Sequence, residues 1–195
     1  MRVATMLWSF DLDGVLAEPP FGWNPAIDQD VTLAPASDIQ RPSVPGRHVV
    51  DRLLESSWYR VRYFKRPPRA GAREAVRAAA QCGRVMILTG RHERGRRQTQ
   101  AWLERHGFDS LVEELVMNGS PLKSARFKEA VLRVRDAALH IDDDAATCAL
   151  LARNGVEVGL VSWPRNRGLD YPDGVTRCDD LEDVRTLIER VARGD

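Results

Sequence analysis

Val85-Met86-Ile87-Leu88 is an unbroken apolar run. A strand with one wet face alternates polar and apolar side chains, so a strand written this way is covered on both faces. Similar short runs occur at Met6-Leu7-Trp8, at Ala137-Ala138-Leu139-His140-Ile141 and across residues 157–161, and helix-like segments separate them. Strands that alternate with helices join in parallel and place helices on both faces of one sheet. The expected fold class is therefore α/β: a three-layer sandwich around a mostly parallel, Rossmann-like sheet.

The elements read as follows. A first strand spans Thr5 to Phe10. A helix from Ala72 to Cys82 is stopped by Gly83, and the strand at 85–88 follows. A helix from Arg96 to Arg105, a weaker strand from Leu111 to Met117 and a helix from Ser124 to Val134 come next. The strand at 137–141, a helix from Ala145 to Arg153, the strand at 157–161 and a last helix from Leu181 to Ala192 complete the pattern. Between Glu18 and Pro68 it breaks: eight of the eleven prolines fall there, and prolines interrupt long elements. Residues 18–68 are expected to form a small proline-rich cap, with at most one helix near Arg47 to Ser56. Residues 1–17 and 69–195 then form the core domain.

The chain of 195 residues suits one domain with an insertion. Its formal net charge of +1 gives no global argument for a nucleic-acid or membrane partner. No run approaches the roughly 20 apolar residues of a membrane span, and the N-terminus lacks a signal-peptide pattern. Cys82, Cys148 and Cys178 are odd in number and scattered, and read as reduced thiols of a cytoplasmic protein. No obligate protein partner is evident.

Chemistry is concentrated where the strands end. Open parallel sheets carry their sites beyond the carboxyl ends of the strands. There the first strand gives Asp11 and Asp13, the second Thr89 and Gly90, and a later one Asp142, Asp143 and Asp144. Carboxylates crowded in one crevice repel one another without a cation, and hard oxygen donors on a partly hydrated shell suit Mg²⁺. A carboxylate beside such a cation can attack phosphorus, and a second one two residues on can move the proton. A hydroxyl, backbone amides and the ammonium of Lys123 can hold the phosphoryl oxygens as charge develops.

Phe10-Asp11-Leu12-Asp13-Gly14-Val15-Leu16, Thr89-Gly90-Arg91, Lys123 and Ile141-Asp142-Asp143 resemble, in order, the four motifs of the haloacid-dehalogenase-like hydrolases. The resemblance covers the chain apart from the insertion. It implies Asp11 as nucleophile, Asp13 as general acid and base, Thr89 as phosphate-binding hydroxyl and Lys123 as phosphate-neutralising lysine. It implies Mg²⁺ held by Asp11, Asp13 and Asp142 or Asp143, and an aspartate at position 13 is the family's phosphatase mark. The segments around Lys123 and Ile141 look like the phosphatase half of polynucleotide kinase-phosphatases, and Pro164-Arg165-Asn166-Arg167 looks like deoxyribonucleotidase-type members. Together they imply a small phosphorylated substrate, such as a nucleotide or a nucleic-acid end, with Gly90, Arg91, Arg165 and Arg167 as contacts.

Competing readings stand beside these. Lys128, five residues on, rivals Lys123, which is preferred because it precedes the helix. Asp144 also fits the N-cap of the next helix. His140, in an apolar strand, reads as a satisfied core residue. Arg91, Arg94, Arg96 and Arg97 fit either a solvated helix face or a basic rim. Arg60, Arg62, Lys65 and Arg66, interleaved with Tyr59, Tyr63 and Phe64, fit a hinge better than a base-stacking platform. Phosphoryl transfer to another acceptor, or a phospho-acceptor or binding module without significant hydrolysis, is the alternative function.

Overall fold

The structure, a computed structural model, describes residues 6–19 and 66–194. Nearly all of the expected cap, its helix near Arg47 to Ser56 and the aromatic-basic stretch up to Lys65 lie outside the described residues. The described part is an α/β three-layer sandwich. In chain order it runs β1 (Met6–Phe10), α1 (Ala72–Cys82), β2 (Gly83–His92), a 3₁₀ turn (Glu93–Gly95), α2 (Arg96–Arg105), β3 (Glu114–Asn118) and α3 (Ser124–Arg135). Then come β4 (Leu139–Asp142), α4 (Ala145–Arg153), β5 (Val158–Val161), β6 (Val175–Cys178) and α5 (Leu181–Arg193).

Among the described residues the six strands form one parallel sheet in the order β3-β2-β1-β4-β5-β6. The continuous apolar runs are divided between two cores. Trp8, Phe10, Val85 and Ile87 face α1, α2 and α5 through Ala75, Val76, Trp102, Val184 and Ile188. Leu7, Met86 and Leu88 face α3 and α4 through Phe127, Leu132, Cys148 and Leu151. Successive side chains of one strand thus enter opposite cores, and no position in the run is left for a polar residue.

The sheet departs most from the sequence reading at β2, β3 and β6. β2 begins at Gly83, which both ends α1 and opens the strand, because a Cβ there would strike the main chain of Met6. β3 begins later than expected, since Leu111 and Val112 turn back to the carbonyl of Phe108. β6 has no counterpart in the sequence reading; it is a four-residue edge strand pairing β5 from Val158↔Val175 to Val161↔Cys178. An edge strand with Thr176 and Arg177 at its centre carries no apolar run to announce it.

The chain returns to β1 at the point where it leaves. Glu18 donates to the carbonyl of Pro67 at 2.9 Å, Arg69 donates to that of Leu16 at 2.8 Å, and Ala17 bridges Pro68. The three cysteines are free thiols, Cys148 and Cys178 buried and Cys82 exposed. Among the described residues no helix is long and apolar enough to cross a membrane.

Candidate active site

β1 lies between β2 and β4, so the chain crosses from one side of β1 to the other and leaves a crevice at its carboxyl end. Register sets the neighbours. Phe10 pairs with both Ile87 and Ile141, and the Asp11 amide donates to the Ile141 carbonyl at 2.8 Å. Asp11 therefore stands beside Asp142, with Thr89 two residues past Ile87 on the other flank. Gly14 turns the chain after Asp13 at φ 86°, and a Cβ there would collide with the Asp143 carboxylate.

Asp11, Asp142 and Asp143 are buried, and their ligand oxygens lie within 4.8 Å of one another. Lys128 reaches into this group from α3: its Nζ lies 2.9 Å from Asp11 Oδ1 and 2.7 Å from Asp142 Oδ2. His140 Nε2 meets the same Asp142 oxygen at 3.0 Å, while its Nδ1 meets Ser9 Oγ at 2.9 Å. Asp142 Oδ1 accepts from the amides of Asp143 at 2.8 Å and Asp144 at 3.1 Å. Both Asp142 oxygens are thereby taken up by protein donors. Asp143 instead faces Arg165, whose guanidinium contacts its Oδ2.

Burial in a crowded acidic site pushes the Asp11 carboxyl up to about 7, with Asp142 and Asp13 adding to the rise and Lys128 pulling against it. Burial also raises Asp143 well above the carboxylate range, against the pull of Arg165. Asp142 is buried too, but Lys128 and His140 overcome the desolvation and hold it below the usual range. Burial works to lower the Lys128 ammonium, and Asp11 and Asp142 outweigh it, keeping the side chain charged. Burial lowers His140, so its ring is neutral and links Ser9 to Asp142 by hydrogen bonds.

The remaining expected residues are distributed as follows. The carboxylate of Asp13, expected to bind metal, lies among arginines: Arg91 binds it through Nε at 2.7 Å and Nη2 at 2.6 Å, and Arg66 Nη1 lies 2.5 Å from Oδ1. Arg91 is buried, with Nη1 also on Thr99 Oγ1, so it is neither a solvated face nor a rim. Thr89 is buried and accepts from the Arg91 amide at 3.2 Å. Gly90 lets the first turn of α3 approach, because a Cβ would strike the Ser124 side chain.

Lys123 is the exposed residue preceding α3, whereas Lys128 is buried in the cluster. The sequence signal for Lys128 was its spacing: with Phe127, Val131 and Leu132 it falls on the inward stripe of an amphipathic helix. Asp144 caps α4, accepting from the Thr147 amide at 2.9 Å. Arg165 belongs to the site and Arg167 is exposed two residues beyond. His140 and Arg66 also reach the acidic residues, and Ser9 reaches them through His140, roles that sequence reading did not give them. Each is a polar residue at an otherwise apolar or proline-marked position, and position alone does not name its partner.

No protein-family model and no curated protein matches the chain. Among solved structures it is similar to a haloacid dehalogenase-like family hydrolase from Xanthomonas campestris, with TM-score 0.61 and 14% identity over 97% of each chain. It is similar to a magnesium-bound HAD-type hydrolase from Bacillus subtilis, with TM-score 0.59 and 11% identity over 95% of this chain and 99% of that one. A chain of the Pnkp1/Rnl/Hen1 complex aligns at TM-score 0.53 and 15% identity over 83% of this chain and 47% of its own length. The fold is the haloacid-dehalogenase-like fold.

Proposed function

We propose that this chain, with its haloacid-dehalogenase-like fold, is a Mg²⁺-dependent phosphomonoester hydrolase. The observation that carries the reading is Lys128 bridging Asp11 and Asp142 beside Asp143, at the carboxyl end of β1. Three close carboxylates against Lys128 and Arg165 still leave an excess of negative charge and hard oxygen donors, which suits a divalent cation. Asp11 and Asp143 would hold it, because the Asp142 oxygens already accept four donors. Bound there, the ion would screen the phosphoryl oxygens and favour the ionised form of Asp11.

Asp11 attacks phosphorus; the bond to the leaving oxygen breaks and an aspartyl-phosphate forms on the Asp11 carboxylate. Asp13, protonated from solvent, gives that proton to the leaving oxygen and later takes one from the water that releases phosphate. Arg91 and Arg66 fix where Asp13 starts, and one of its oxygens must turn from them toward the leaving group. Thr89 Oγ and the Lys128 ammonium neutralise the transferring oxygens, so the lysine role read at position 123 passes to 128. A nucleotide or nucleic-acid end as substrate accords with the likeness to the Pnkp1/Rnl/Hen1 chain, with Arg165 and Arg167 near the phosphate. The residues 18–68 between the paired segments would act as a cap over it.

The test is phosphate release from a generic aryl phosphate, then from nucleoside 5′- and 3′-monophosphates and phosphorylated oligonucleotide ends. Mg²⁺ should be required, EDTA should abolish turnover, and Asp11→Asn should retain less than about a hundredth of it. Metal-independent turnover would sink the mechanism.

A further inference from the structure

Two cations serve the acidic cluster, and they differ in what they can do. Lys128 is fully buried and fixed between two carboxylates. Arg165 reaches Asp143 from the loop after β5, and its side chain keeps 22% of its surface in solvent. That loop is anchored: Asn166 Nδ2 donates to the carbonyls of Asp143 at 3.0 Å and Val161 at 2.9 Å, and Asn166 Oδ1 accepts from the Trp163 amide at 2.7 Å. Arg165 also lies over the Trp163 ring at 5.6 Å, with Arg69 at 4.6 Å. Trp163 Nε1 and Arg69 Nη1 both donate to the Gly14 carbonyl, which ties the ring to the turn after Asp13.

A guanidinium does not lose its proton at accessible pH, so it answers a competing cation by moving, not by neutralising. Arg165 has water on one side and an aromatic ring to move along, whereas Lys128 has neither. A divalent ion on Asp143 would sit against the guanidinium, and like charges at contact in a buried site repel strongly.

We propose that Arg165 is the exchangeable cation of this site: it neutralises Asp143 until a divalent ion takes that carboxylate, and its displacement sets the metal concentration at which the site loads. The inference rests on the metal reading above. It differs from an orienting role, in which Arg165 would help Asp143 hold the metal and its loss would weaken binding.

The test is Mg²⁺ binding by titration calorimetry on the full chain, without substrate. Arg165→Gln and Arg165→Met are expected to bind Mg²⁺ about tenfold more tightly than the parent, as for removal of one adjacent charge. Arg165→Lys should return toward the parent value. Arg133→Gln, which removes the same charge from the exposed face of α3, should stay within about twofold. Mg²⁺ should also change tryptophan emission in the parent, and Trp163→Phe should remove that change. Equal or weaker binding by both neutral variants overturns the exchange while leaving the metal reading standing. Failure of the parent and all variants to bind Mg²⁺ overturns both.

Discussion

Lys128 shows how one side chain is decided by its surroundings. An ammonium with two carboxylate partners below 3 Å is charged at any accessible pH, and without it Asp11 and Asp142 face each other unscreened. Removing one member of a buried ionic cluster costs about 3–5 kcal/mol, because the partners stay buried and uncompensated. Lys128→Ala should therefore lose that much stability in urea unfolding and more than about a hundredfold in phosphate release. Lys123→Ala should stay within about threefold of the parent in the same assays. The reverse ranking would return the role to position 123. Sequence reading named both lysines and preferred the one before the helix. Only packing distinguished them, since helix phase shows that a residue points inward but not what it meets there.

At the scale of elements, the site depends on how closely α3 approaches the end of β2. Gly90 and Ser124 meet where a side chain on residue 90 has no room. Gly90→Ala should push the first turn of α3 away, carrying Lys128 with it, and cost about 1–3 kcal/mol. Ser124→Gly in the same chain vacates the space and should restore part of both stability and activity. Additive losses in the double variant would show that the two positions do not share that contact. Helix bounds were legible in the sequence to within a residue or so: 72–82, 96–105 and 145–153 were all read as they stand. Their apolar phase and the stop at Gly83 are local signals. β6 was missed because its stability comes from pairing with β5, which its own residues do not encode.

For the molecule as a whole, crowding acid groups at the carboxyl end of the sheet makes stability depend on pH. The folded state holds the Asp11 proton up to about 7, against an ordinary value of 3.8, so it binds more protons than the unfolded chain between those values. Stability from this group is present at low pH and is lost as pH rises through about 7. In EDTA, the parent should lose about 2–3 kcal/mol more than Asp11→Asn between about pH 5 and pH 7.5 by urea unfolding. Mg²⁺ should diminish that loss by favouring the ionised form and by stabilising the folded state through binding. A pH slope equal in the two proteins would contradict the burial of an ionisable carboxyl at position 11.

The sequence by itself determined the fold class, because continuous apolar strands separated by amphipathic helices have few ways to bury both faces of a sheet. It determined which residue types gather at the crevice, because strand ends fix them whatever the details of packing. Tertiary structure decided the partners: Lys128 in place of Lys123, Arg91 and Arg66 on Asp13, His140 and Ser9 behind Asp142, and Arg165 on Asp143. Those contacts join residues as far as 131 positions apart. Their choice depends on distances set by the whole sheet, and no local pattern carries that information.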